Sequence, residues 1–430
     1  MTARAFIARR GACPGLSVPM PTGDGLLARL TPIGAIPLAG FAELCAGAQT
    51  HGNGIIEITS RGNIQIRGLT PDSAPRFAAA IAALRIAADD GVAVVTNPLA
   101  GLTAEEIVDV GALATDLRRS IAQASLAARL APKVSVAVDG GGALNLDALT
   151  ADVRLRADAI GSRVWLRVSV GGDAANATEL GTVEPAQGGA ATMRALEVIA
   201  RSGAEARARD VLANAGAAPF LDALSGLLSP PADPSLRGNA PTADPIGMHR
   251  LRDRSLACGI GLPFGHAGAR ELERLIEAAA EAGAGSMRAA PGRALLTIGL
   301  TPETAPSFAA AAGQLGFIVR EDDPRRRVIA CAGAPICASA YIATREMAPL
   351  IAAAAGHFID GRLTIHVSGC AKGCAHPAAA VLTAYGTAAG CALVANGCAG
   401  DRADRIVPPR ELPEALASAA RVLTGEPGHV

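Results

Sequence analysis

The chain predicts a mixed α+β fold in which one module is used twice. Three observations carry this. Residues 68–80 read GLTPDSAPRFAAA and residues 299–311 read GLTPETAPSFAAA, an offset of 231. Residues 134–145, VSVAVDGGGALN, echo residues 364–375, TIHVSGCAKGCA, with Val138-Asp139-Gly140-Gly141 lying over Val367-Ser368-Gly369-Cys370. Between the copies, residues 228–247 hold five prolines and no apolar period. Self-similarity at a fixed spacing across a Pro-rich break is the mark of a duplicated chain.

The segments follow in order. Residues 1–86 read as a small α+β half-domain. IEITSRGNIQIRG (56–68) alternates apolar and polar residues as a half-buried strand does. Thr70 is then a natural N-cap, with Pro71 at the first helical position. Residues 87–227 read as a larger α/β unit. Its VSVAV strand runs into the Gly-rich DGGG turn, and Gly141 and Asn145 stand where Cys370 and Cys374 stand in the second copy. This is a degenerate copy without cysteine ligands. Residues 228–247 are the linker. Residues 248–322 repeat the half-domain, with ALLTIG (294–299) as strand and Thr301-Pro302 as helix start. Residues 323–430 form the second larger unit.

Composition narrows the function. The 430 residues suffice for roughly two to four domains. Zero net charge argues against a general nucleic-acid binder, and 3% aromatics offer no base-stacking platform. No apolar run reaches the length of a membrane span. Arg9-Arg10 are followed by GACPGLSVPM, whose prolines and glycines make a poor signal-peptide core, so a cytoplasmic protein is expected.

The last segment carries the chemistry. Cys331 and Cys337 lie in CAGAPIC, Cys370 and Cys374 in GCAKGC, a C-x5-C followed by C-x3-C. Four thiolates in two tight pairs can each hold one iron of a cubane cluster. Gly333, Gly369 and Gly373 let the backbone approach a bulky core and aim N–H groups at sulfur. A structural zinc site is the competing reading, but zinc knuckles favour shorter spacings. The odd cysteine count of 9 speaks against a disulfide framework. Cys45, Cys258, Cys391 and Cys398 read as core residues. Only two lysines occur, Lys133 before the VSVAV strand and Lys372 inside the cysteine motif. At a shaped site an ammonium and a guanidinium are not interchangeable. Asp139 opens the Gly-rich turn and is a candidate polar contact, or an ordinary turn residue bonded to its own backbone. His366 and His376 flank the cysteine motif.

With these motifs on a duplicated chain, the sequence resembles the sulfite and nitrite reductases that hold a [4Fe-4S] cluster beside sirohaem. TSRGNIQIRG (59–68) resembles their Arg-rich strand motif, with Arg61, Gln65 and Arg67 in place. Within that family SGCAKGCAHP (368–377), RRGACPGL (9–16), PMPTGDGLL (19–27) and VDGGG (138–142) resemble the precorrin-3B synthase branch of aerobic cobalamin biosynthesis. The resemblance implies two ferredoxin-like half-domains pairing into one unit, beside two larger α/β units.

It also implies a function. Precorrin-3B synthases are oxygen-dependent monooxygenases that hydroxylate C20 of precorrin-3A while the ring-A acetate closes a γ-lactone onto C1. Expected cofactors are the [4Fe-4S] cluster on Cys331, Cys337, Cys370 and Cys374, a mononuclear non-haem iron, and NADH as indirect electron donor, with no sirohaem. No nucleotide-binding G-x-G-x-x-G is convincing, so a separate reductase partner is expected. The tetrapyrrole and O2 are the small-molecule partners; nucleic acid and membrane are not. Expected substrate contacts are Arg61, Asn63, Gln65 and Arg67 on one strand face, Lys133, Lys372, and Arg288 and Arg293 from the second half. Arg9 and Arg10 are candidates to close over the site. His376, His366 and Asp139 are the candidate catalytic or second-iron residues. The alternative is a sirohaem-dependent sulfite or nitrite reductase. Against it stands Lys133-Val134-Ser135, where those enzymes carry a second lysine to grip the anion.

Overall fold

Apolar alternation builds four five-stranded sheets in the computed structural model, which describes residues 14–89, 91–142, 144–229, 243–356, 363–376 and 378–424. Arg9 and Arg10 lie outside the described residues, as do 230–242 of the linker.

The first sheet runs Met20–Thr22, Gly25–Leu30, Ile64–Leu69, Ile55–Ile58, His266–Gly268; the second runs Gly247–Arg250, Leu256–Gly261, Ala294–Leu300, Ser286–Ala290, Ile36–Pro37. Each sheet therefore ends on a strand donated by the other half. Ala267 pairs with Ile56, and Ile36 pairs with Met287. Residues 36 and 267, and 56 and 287, stand at the 231-residue offset of the sequence repeat. The exchange covers an edge that each half would otherwise leave open. The helices Leu38–His51 and Ala269–Glu281 follow the exchanged strands and pack on one another. Phe41 and Phe77 share one continuous core with Leu275 and Phe308, so the two ferredoxin-like halves are a single packed unit.

The third and fourth sheets repeat each other too. One has Ala93–Thr96, Ser135–Asp139 and Ala151–Ile160 in parallel; the other has Val328–Ala330, Ile365–Ser368 and Ala380–Thr387 in parallel. Antiparallel strands extend both. Thr96 pairs with Val138, and Ala330 pairs with Val367. That register puts Asn97 in the place of Cys331. Asn97 has no sequence resemblance to a cysteine loop, and only the strand pairing reveals the equivalence.

Three expectations are corrected. The helices after the repeated Thr-Pro start at Ser73 and Ala305, not at the prolines. Thr70 and Ser73 exchange side-chain-to-backbone bonds at 2.9 and 3.0 Å, closing a turn before the helix; Thr301 and Thr304 do the same at 3.2 Å. IEITSRGNIQIRG is a hairpin rather than one strand, because Gly62 turns the chain at φ +78°. Arg61 therefore sits in the turn, not on the strand face of Gln65 and Arg67. Cys45, Cys258 and Cys391 are buried, and burial pushes their thiols up to about 12, 12 and 11, but Cys398 is only half-buried.

Candidate functional site

Both cysteine pairs sit on loops that leave the parallel strands of the fourth sheet. Cys331 follows Val328–Ala330, and its N–H donates to the Val367 carbonyl at 3.3 Å. The loop turns at Gly333, φ +66°, where an added Cβ would lie 2.3 Å from Thr344 Oγ1. Cys337 N–H then donates back to the Gly333 carbonyl at 2.7 Å. Cys370 follows Ile365–Ser368, and Ser368 Oγ donates to its carbonyl at 2.7 Å. Gly23 of the first half-domain touches the first loop so closely that a Cβ there would lie 2.2 Å from the Ile336 carbonyl. A side chain at position 23 would push the cysteine loop away from the half-domain unit.

The four thiols share one electrostatic field. Burial pushes the Cys374 thiol up, and so do Cys370, Cys331 and Cys337. Gly369 N–H donates to Cys331 Sγ at 3.1 Å, the kind of backbone N–H on sulfur that a cluster uses. Among the described residues no three His, Cys, Asp or Glu side chains converge as a single-ion site. Thiolates around a cubane each meet a different iron, so they need not converge. The donor set fits a [4Fe-4S] cluster better than a zinc ion.

Cys331 and Cys374 form part of the wall of a cavity of about 1450 Å3. Drug-sized ligands occupy roughly 300–1,000 Å3, so this space suits something larger. Of the expected contacts, Arg61, Asn63, Gln65, Arg67, Lys133 and Arg293 line it. Their availability differs. Arg61 Nη1 donates to Ser135 Oγ at 3.3 Å, from the unit next door. Lys133 is exposed. Arg293 holds φ +63° where its counterpart in the first half is Gly62, an unusual cost for an arginine. Burial lowers its affinity for its proton.

Arg67 is already committed. It donates to Asp24 at 3.0 and 3.2 Å and lies 3.6 Å from Glu57. Gln65, with its amide oriented to satisfy both partners, donates to Glu57 at 3.0 Å and accepts from Arg29 at 2.8 Å.

Other expected contacts lie elsewhere. Arg288 is half-buried outside the cavity lining and donates to Thr96 Oγ1 at 3.0 Å, and loss of solvent lowers its pKa to about 10. Lys372 is exposed outside it and donates to Ser339 at 2.9 Å. Asp139 is a buried structural carboxylate. It accepts from Asn97 and Gly141 at 2.8 and 2.9 Å on one oxygen, and from Leu146 and Arg156 at 2.7 and 3.2 Å on the other. Four donors leave it nothing for iron or substrate. His366 is fully buried, neither ring nitrogen has a partner among the described residues, and His376 stands edge-on at 5.6 Å.

Sequence reasoning missed three cavity residues. Arg29 lies opposite Gln65 in the sheet, a pairing that alternation in Gly25–Leu30 could have suggested. His266 lines the cavity on the exchanged strand; burial, then Arg345, pushes its pKa down to about 4 and keeps it neutral. Arg345 opens the helix Thr344–Ala355 and reaches Glu57, 288 residues away. No local pattern announces it.

Comparison with known proteins matches this picture. Residues 18–84 match the family model for the nitrite/sulfite reductase ferredoxin-like half domain. A precorrin-3B synthase from Sinorhizobium sp is 39% identical over 417 residues, 96% of this chain and 89% of that protein. A ferredoxin–nitrite reductase from Synechococcus elongatus is 25% identical over 363 residues, 75% of this chain and 68% of that protein. The structure of the Mycobacterium tuberculosis NirA protein superposes with a TM-score of 0.76 over 94% of this chain and 82% of that one, at 19% identity, which speaks for the fold.

Proposed function

The chain belongs to the precorrin-3B synthase family of enzymes, and we propose that it converts precorrin-3A to precorrin-3B as an oxygen-dependent monooxygenase, hydroxylating C20 while the ring-A acetate closes a γ-lactone. The observation that carries this reading is the large basic cavity with two of the four motif cysteines in its wall. A tetrapyrrole with many carboxylates needs both that volume and several cations. Arg61, Lys133, Arg293 and Arg29 are the residues that meet its acetate and propionate groups, since guanidinium forks grip carboxylates in pairs of hydrogen bonds. Arg67 holds Asp24 and Glu57 in place behind them.

Cys331, Cys337, Cys370 and Cys374 would hold the [4Fe-4S] cluster. His366 and His376 would offer two imidazoles to the mononuclear non-haem iron, and no third His, Cys, Asp or Glu completes a single-ion site with them among the described residues; the His366 ring, buried with two idle nitrogens, is costly unless something binds it. When bound, these groups supply electrons and oxygen activation: one oxygen atom of O2 enters the macrocycle and the other leaves as water, taking two electrons and two protons. NADH as indirect reductant, a separate reductase and a cytoplasmic location belong to the same proposal. No helix among the described residues is long and apolar enough to cross a membrane. Ser135 supports the monooxygenase over anion reduction, because a buried neutral hydroxyl already occupied by Arg61 replaces a lysine of the anion grip.

The test is the absorption spectrum of protein purified without oxygen, with iron and sulfide counted on the same sample, followed by turnover of precorrin-3A with O2. A broad shoulder near ~400 nm, no sharp haem band and more than four irons per chain are expected for a [4Fe-4S] protein with a further iron. A Soret-type band with extractable sirohaem would replace this reading with the reductase. A colourless sample with stoichiometric zinc would remove both.

A further inference from the structure

We propose that Arg345 sets the reduction potential of the cluster, and that Glu57, paired with its guanidinium, moderates the effect. This deepens the reading above and rests on its [4Fe-4S] cluster.

Arg345 stands in the first turn of Thr344–Ala355, directly after the residue that touches Cys331. Thr344 Oγ1 donates to the Cys331 carbonyl at 2.7 Å and lies 3.9 Å from Cys331 Sγ. Arg345 lines the same cavity as Cys331 and Cys374, and Cys331 is among the groups that act electrostatically on its guanidinium. Its two ends differ. Nη2 is paired with Glu57, with both side chains largely buried at 13% and 17% exposure. Nη1 is buried with no partner among the described residues. A buried N–H left without an acceptor costs about 1–3 kcal/mol, more for a charged group. The sulfurs of a cluster held beside it would be acceptors of the right charge.

The electrostatics then run one way. Reduction adds a negative charge to the cluster, and a nearby buried cation favours the reduced form. Glu57 opposes this, because its carboxylate neutralises part of the guanidinium's charge. Arg67 and Asp24 next to it are paired with each other, and His266 is neutral. Lys372 is nearer in sequence to Cys370 and Cys374, but it is exposed and screened by water; Arg345 is the largely buried cation next to the residue that holds Cys331. Its link to Glu57 also ties the cluster loop to the half-domain that lines the substrate cavity.

The experiment is potentiometric titration of the cluster in the full-length wild type, Arg345→Met, Arg345→Lys and Glu57→Gln, with iron and sulfide counted on every sample. Arg345→Met should shift the one-electron equilibrium at least tenfold toward the oxidised form, about 59 mV to more negative potential. Arg345→Lys should recover most of that shift. Glu57→Gln should move the potential the opposite way, because it removes a negative charge and frees the guanidinium. A tether without electrostatic effect would lower cluster occupancy in both variants and leave the potential unmoved, which overturns the inference. A wild type without iron and sulfide would instead remove the cluster reading on which it stands.

Discussion

Alanine at Arg67 and alanine at Arg61 should fail in different ways, although the two residues come from one motif. Arg67 is 5% exposed and bonded to Asp24 at 3.0 and 3.2 Å, with Glu57 at 3.6 Å. Removing one member of a buried ion pair costs about 3–5 kcal/mol, because the partner charge stays buried. Asp24 keeps Thr22 at 2.7 Å and Asn53 at 2.9 Å, and Glu57 keeps Arg345, so the lower end, about 3 kcal/mol, applies here. Arg61 donates to the neutral Ser135 hydroxyl at 3.3 Å, a charge-assisted bond of about 1.5–3 kcal/mol rather than a buried ion pair. Its loss should instead be felt by the ligand. Removing one side of a charge pair with a substrate carboxylate costs about 2–3 kcal/mol at an open cavity, roughly 30- to 150-fold in Kd. The assay pairs urea denaturation with absorbance titration of a carboxylate-bearing tetrapyrrole. Arg67→Ala should lower the denaturation midpoint more than Arg61→Ala does, and Arg61→Ala should weaken binding more than Arg67→Ala does. If Arg67→Ala keeps its midpoint and loses affinity as Arg61→Ala does, the guanidinium was free for substrate and the reasoning fails.

Three further outcomes are expected. Serine at Cys370 or Cys374 should abolish the ~400 nm absorbance of the cluster; full iron and sulfide in either variant would refute that ligand set. Asp139→Asn should destabilise the chain by about 3 kcal/mol while leaving cluster content intact, since an amide NH2 would face the Leu146 N–H and Arg156 donors; iron loss with normal stability would return Asp139 to the metal site. His266 gives the pH signature. Its folded pKa of about 4 lies below the ordinary 6.5, so the unfolded chain binds the proton first. Stability is then complete above about pH 6.5 and falls as the pH drops toward 4, by about 3 kcal/mol in total. The denaturation midpoint of His266→Gln should be flatter than that of the wild type across that window, and parallel profiles would show that His266 is not responsible.

Much of this was legible along the chain. The duplication is written in near-identical segments, because each copy must end the same strand and close the same turn before its helix. The cluster motif is local, since loop spacing and small residues decide whether two thiols can flank one inorganic core. The Arg61–Arg67 segment was legible as a candidate site but not as a geometry: the turn at Gly62 split it, and one arginine was claimed by Asp24, 43 residues away. Asp139 and Arg288 failed as site residues for a related reason. A charged side chain near a motif can be consumed by buried partners from distant segments, and sequence does not count those partners. Arg345 and Asn97 show the converse. Neither stands in a recognisable motif, yet strand register places Asn97 at the position that Cys331 holds in the fourth sheet, and packing of the helix Thr344–Ala355 against the first half-domain brings Glu57 within reach of Arg345. Periodicity, turn chemistry and ligand spacing act over a few residues, so the chain alone specifies them. Which charges are neutralised, and which are left to face a ligand, depends on contacts across hundreds of residues that exist only once the halves have packed.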